Sequence, residues 1–229
     1  MMNINQVLAN LHSIASEERI QDMKRVNINV SNVIGISIYE LRLYAKKIGK
    51  NHVLAQQLWK SKIHEARLLA CLIDEVNLVT EEQMEAWVKD FNSWDICDQC
   101  CSNLFDKTPY AISKALEWSE RDAIFVKRAG FVLMACLSVH NKQMENKQFD
   151  VFLDCIIRES NDDRNFVKKA VNWALRQIGK RNLDLNKKAI QTAEIVKSLD
   201  INSAQWIANN ALAELKSEKI QKRLIKKQR

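Results

Sequence analysis

A chain of 229 residues with 47% hydrophobic residues can bury a sizeable core, while four glycines and one proline are too few for a protein of many strands and tight turns, so the expected class is all-α. A formal charge of +7 suits an anionic partner, nucleic acid or a membrane surface, without choosing between them. No apolar run approaches the roughly 20 residues of a membrane span, and the first residues mix Asn, Gln and His into their apolar positions, unlike a signal peptide; the expected setting is the cytoplasm, in a bacterium the cytosol and nucleoid, with no membrane partner.

In chain order, residues 3–26 carry helical periodicity, read as a helix pair, and end in a polar N-I-N-V-S-N run. Ser37 with Glu40 makes a capping box that opens a helix through Ile48, which Gly49 stops just after Lys46 and Lys47. Short helices are predicted over 52–59 and 63–73. Thr80 with Gln83 is a second capping box, opening a helix to Phe91 that leads straight into the next. Pro109 fits the first turn of a helix to about Trp118. The basic stretch 216–229 reads as the end of a last helix or a tail.

Residues 92–105, N-S-W-D-I-C-D-Q-C-C-S-N-L-F, form a helix whose polar residues are misplaced for plain packing. At 3.6 residues per turn, Trp94, Cys97, Asp98, Cys101, Leu104 and Phe105 share one face, and Asp95, Gln99, Ser102, Asn103 and Asp106 share the other. Asp98 is thereby placed inside the apolar stripe, where a carboxylate needs a cation, hydrogen-bond donors or a use. The six cysteines are expected as reduced thiols. Cys97 and Cys100 have the spacing of a redox or zinc pair, yet no second such pair or close histidine pair completes a site, so neither metal nor cofactor is expected.

Internal repetition organises the rest. Phe125-Val-Lys-Arg-Ala129 and Phe166-Val-Lys-Lys-Ala170 lie 41 residues apart, each opening a long helix, and His64-Glu-Ala66 and Ile207-Ala208 occupy comparable places. That period belongs to two-helix repeats of the HEAT or armadillo kind, predicting a single domain over 1–229, an α-solenoid superhelix with a concave basic groove. On the helix over 164–181, Phe166, Lys169, Trp173, Arg176 and Lys180 share a face opposite Val167, Val171, Leu175 and Ile178. A tryptophan among cations suits a nucleic-acid groove, although a basic helix face is more often simply solvated. Arg128 lies in the stripe Phe125, Arg128, Ala129, Val132, Cys136, and a structural salt bridge between Asp98 and Arg128 explains two inward charges as readily as a site does.

At these residues the sequence resembles the AlkD-type DNA alkylation repair proteins, HEAT-like-repeat DNA glycosylases. The resemblance runs over about 3–215 and is carried by S-W-D-I-C-D at 93–98, F-V-K-R-A at 125–129 and F-V-K-K-A-V-N-W-A-L-R at 166–176. In that family the tryptophan and second aspartate of a W-D-x-x-D motif, an arginine of the next long helix and a tryptophan of the one after line the lesion site. The matching residues are Trp94, Asp98, Arg128 and Trp173. Where some relatives place a tyrosine in the N-terminal helical region, Val26 stands in this chain.

The resemblance implies a monomer that hydrolyses the N-glycosidic bond of purines alkylated at N3 or N7 in double-stranded DNA. Asp98 is then expected to stabilise the oxocarbenium-like sugar and orient water, Trp94 and Trp173 to cradle sugar and backbone, and Arg128 to hold a phosphate. Lys127, Lys168, Lys169, Arg176 and Lys180 are candidates for neighbouring phosphates. The family resembles a backbone binder that needs no closed base pocket. No general acid is expected, with His64 and His140 read as lying near helix ends away from the Trp94 stripe. The alternatives are a non-catalytic DNA-binding member, directed to bent or branched DNA, and a protein-binding helical scaffold.

Overall fold

Side chains that start helices account for much of the first half of the chain. In the computed structural model, which describes residues 2–228, Asn3 accepts from Gln6 N–H and Gln6 accepts from Asn3 N–H, both at 3.0 Å, opening α1 (Ile4–Ser13). Ser16 caps α2 (Glu17–Arg25). The Ser37–Glu40 box opens α3 (Ile38–Ile48) as expected, and Gly49, at φ 77°, ends it one residue after Ile48. Asn51 caps α4 (His52–Lys60), and α5 (His64–Ile73) follows a short turn. Thr80 accepts from Gln83 N–H at 3.2 Å to start α6 (Glu81–Lys89), but the Gln83 amide turns to Asp74 Oδ2 at 2.6 Å, so only half of the expected box forms. Nor does α6 run on into α7 (Trp94–Asn103). Asp90 breaks the chain there, its carboxylate taken by Trp59 Nε1 at 2.9 Å and Arg67 at 3.0 Å.

The chain packs as two compact units divided between Thr108 and Pro109. In the first, α5 is central, buried along most of its length and packed on α3, α4 and α7. Trp59 of α4 stacks on Trp87 of α6 with centroids 3.9 Å apart and planes 4° from parallel, and Phe91 and Phe105 extend the cluster. Glu65, fully buried on α5, accepts from the N–H groups of Ile34, Gly35 and Ile36 and so fastens the loop after α2 to the core.

The second unit is built from helix pairs: α8 (Ala111–Ser119) with α9 (Ile124–His140), α10 (Asp150–Glu159) with α11 (Asn165–Gly179), and α12 (Leu183–Ser198) with α13 (Asn202–Leu215). Second helices stack on second helices, α9 on α11 on α13, as the 41-residue spacing predicts. Ala129, Ala170 and Ala208 are fully buried where the stack needs small residues. Buried on every side from Val126 to Ser138, α9 is this unit's central helix. A Cβ added at Gly130 would lie 2.5 Å from the Ser119 backbone nitrogen, so α8 and α9 meet through that glycine. The basic C-terminal stretch continues as α14 (Glu218–Gln228), held to α13 by buried Ile220 and Leu224. Among the described residues there is no strand, and no helix is long and apolar enough to cross a membrane.

Candidate functional site

Helix α7 carries two of the predicted site residues on one side, a turn apart. Trp94 is half-buried, and its Nε1–H donates to the Val26 carbonyl at 3.0 Å, fixing the indole against the end of α2. Asp98 is also half-buried, not inside the apolar stripe as the periodicity suggested. Helix α7 packs on α5, its buried residues are Ile96, Cys97, Cys100 and Cys101, and Trp94 and Asp98 stand half-buried beside them. Ile96 and Cys100 rotate the buried face by about one position, which leaves Asp98 half-buried.

The same rotation draws Asp95 inward. Its carboxylate lies 2.7 Å from His64 Nε2 and accepts from Ser93 Oγ at 2.5 Å, with Ser93 fully buried and His64 4% exposed. Burial raises the Asp95 carboxyl, but the His64 hydrogen bond and those from Ser93 and the Ile96 N–H outweigh it and hold the group below the usual carboxylate range. The expectation for His64 is therefore corrected. Although it begins α5, it touches the first turn of the Trp94 helix and shares a cavity of about 320 Å³ with Trp94, Asp95, Met23 and Val26. His140 does lie exposed at the end of α9. Sequence periodicity missed the His64–Asp95 pair because its partners are 31 residues apart on packed helices.

In the second unit, Arg128 is 6% exposed and donates to the Phe166 carbonyl at 2.7 Å. Lys127, read as a phosphate contact, is corrected to a buried structural cation. It is 7% exposed, hydrogen-bonded to Glu159 and 3.7 Å from Asp162, because α9 is enclosed on all sides. On α11 the expected face is present: Phe166, Trp173, Arg176 and Lys180 are half-buried and Lys169 is exposed, opposite a core of Val167, Val171, Leu175 and Ile178. Arg176 and Lys180 are both engaged by Glu214 of α13 at 2.8 Å, an anchor not apparent in the sequence. Lys168 holds its ammonium 5.2 Å above the Trp206 ring. Of the five proposed phosphate contacts, Lys169 alone is exposed.

All six cysteines are buried, and burial, with Cys71 and Cys97 beside it, pushes the Cys100 thiol well up. Among the described residues no group of three His, Cys, Asp or Glu side chains is placed to hold a metal ion.

Comparison with known proteins bears on the same segments. A family model described as "DNA alkylation repair enzyme" matches residues 7–215. An uncharacterized protein of Listeria innocua is 24% identical over 175 residues, and one of Listeria monocytogenes is 23% identical over 175, each alignment spanning 75% of both chains. A solved structure, described as from a new family related to the HEAT-like repeat DNA glycosylases with affinity for branched DNA structures, superposes with a TM-score of 0.79. It is 18% identical and covers 97% of this chain and 96% of its own, which shows a shared HEAT-like helical-repeat fold.

Proposed function

Because the chain belongs to the DNA alkylation repair enzyme family, we propose that it is a DNA glycosylase that hydrolyses the N-glycosidic bond of purines alkylated at N3 or N7 in duplex DNA, opening base excision repair. The observation that carries this reading is the side of α7 where Trp94 and Asp98, one turn apart, are both only partly buried. A carboxylate that borders an indole and remains reachable suits a sugar on which positive charge is growing.

An alkylated purine is already cationic and leaves readily, so little proton donation is needed. The C1′–N bond breaks with its electron pair going to the base, water oxygen bonds to C1′, and the water proton passes to Asp98 or solvent. Asp98 stabilises the cationic sugar and orients that water. Trp94 contacts the sugar, and Trp173, on α11 of the second unit, meets the DNA backbone. Lys169 takes a neighbouring phosphate through charge alone.

The test is incubation with duplex DNA carrying one 7-methylguanine, followed by detection of the released base. Release by the wild type and its loss in Asp98→Asn support the reading. The branched-DNA affinity ascribed to the structural neighbour motivates a second one, a non-catalytic DNA-binding protein. Tight binding to junctions with no base released from any alkylated duplex replaces the first reading by the second.

A further inference from the structure

The C-terminal ends of α9 and α11 line one cavity of about 480 Å³, wholly within the second unit. Lys142 follows α9, Lys180 and Arg181 follow α11, and Arg223 reaches the cavity from α14. No acidic residue lines it among the described residues. Outside it, Glu214 answers Lys180. The other cations are held by main-chain carbonyls: Lys142 by that of Val139, Arg181 by those of Ser138, Lys142 and Met144 at 3.1, 3.3 and 2.8 Å, and Arg223 by that of Lys180 at 3.1 Å.

Cations at helix C-termini ordinarily do no more than cap carbonyls and meet the helix dipole. Each helix end carries roughly half a negative charge, so two ends together offset about one of the cations Lys142, Arg181 and Arg223 and leave the cavity positive. Arg181 is half-buried, its guanidinium 5.0 Å over the Phe149 ring, and its bonds to the carbonyls fix that group in place. Burial pulls it below the ordinary guanidinium range, whereas the hydrogen bond to Asp162 raises Arg164. A fixed guanidinium with ammonium groups beside it suits the oxygens of a phosphate. Lys180 stands seven residues after Trp173, about 10 Å along the axis of α11, so a strand lying on the Trp173 face reaches the cavity.

We infer that this cavity at the ends of α9 and α11 seats a backbone phosphate of DNA bound along α11. The inference rests on DNA as the partner and is independent of glycosidic hydrolysis. It adds Lys142, Arg181 and Arg223 to the cations that meet DNA, and none of them belongs to the motifs at 93–98, 125–129 and 166–176. A phosphate there carries no sequence information and fixes where the strand leaves the α11 face.

The full chain is titrated with a short undamaged duplex by fluorescence anisotropy over a range of salt, so that base release does not enter. Lys142→Ala combined with Arg223→Ala, both at exposed positions, is expected to weaken binding about tenfold and to flatten the log-log salt slope by about 0.9, the loss of one phosphate contact. Lys187→Ala combined with Lys197→Ala removes the same charge from exposed positions of α12 outside the cavity and is expected to keep the wild-type slope. Circular dichroism checks that both double variants fold. Equal losses in the two double variants overturn the proposal, since they report net charge alone. Wild-type affinity and slope in the cavity variant also overturn it and leave DNA binding through the Trp173 face standing, whereas a wild type that binds no duplex overturns both. Inorganic phosphate that raises the melting temperature of the wild type but not of the cavity variant, with duplex binding the same in each, makes the occupant a free anion and overturns the assignment to DNA.

Discussion

Asp98 and Asp95 sit three positions apart on one helix and are expected to fail in different ways when changed. Asp98 is half-buried at the border of the packed face. Asp98→Asn should keep DNA affinity and slow base release by about two to three orders of magnitude, the scale on which a preorganised charge acts. Single-turnover release at the wild-type rate removes Asp98 from the mechanism. Asp95 instead ties the start of α7 to α5 through His64 and Ser93. Asp95→Ala should lower the unfolding free energy by about 1–3 kcal/mol, because it strips a partner from buried donors. The pH sign follows from the depressed carboxyl of Asp95. Its stabilisation is complete above the unfolded pKa of about 3.9 and disappears as pH falls through the lower folded value, so urea midpoints of wild type and Asp95→Asn should converge only in strong acid.

At the scale of elements, the spacing between α8 and α9 depends on one missing methyl group. Gly130→Ala places a Cβ against rigid backbone at 2.5 and 2.9 Å, and neither the Ser119 nitrogen nor the Ala115 carbonyl can step aside as a flexible side chain would. A loss of about 1–3 kcal/mol is expected in chemical denaturation, against a gain if the helices part freely. The cationic face of α11 is governed from α13. Burial raises the Glu214 carboxyl, but Lys180 and Arg176 more than offset this and keep it ionised. Glu214→Gln should therefore release both cations and strengthen binding to any duplex. Lys169→Ala, which removes the exposed cation, should flatten the log-log salt dependence of affinity by nearly one unit, about 0.9.

The whole molecule combines a net charge of +7 with two carboxylates on α7, Asp98 half-buried and Asp95 paired with His64. The excess of cations attracts DNA of any sequence, so affinity should fall steeply with salt, and indifference to salt points to the protein-scaffold alternative. On the proposed glycosylase reading, selection among lesions belongs to the carboxylates. A time course on matched duplexes should show 7-methylguanine and 3-methyladenine released far faster than hypoxanthine or ethenoadenine, which leave as neutral bases only with acid assistance. Comparable rates would mean that His64, the histidine beside Trp94, supplies a proton. With His64 beside Trp94 and Asp95, the expected ordering of lesions rests on the charge of the base.

Local rules were enough to read the helical class, the Ser37 cap, the Gly49 stop and the two long helices that begin at the F-V-K motifs. Each depends on residues within a few positions of one another, and the stacking of Ala129, Ala170 and Ala208 follows from repeating that local unit. The α11 face was legible for the same reason, since one strongly amphipathic helix reports its own orientation. Periodicity failed on α7 and α9, where burial is set by what packs around the helix. It assigned Asp98 to the core and Asp95 to the outside, and it left Lys127 free for phosphate when Glu159 holds it in the interior. Those outcomes, like the His64–Asp95 pair and the hold of Glu214 on Arg176 and Lys180, join residues 31 to 38 positions apart. Charge and motif in the chain by themselves determined the all-α repeat and the residues that suggest alkylation repair. Only tertiary packing decided which of their charges remain exposed, because a neighbour's side chain, not the helical period, sets whether an ionised group meets water or a partner.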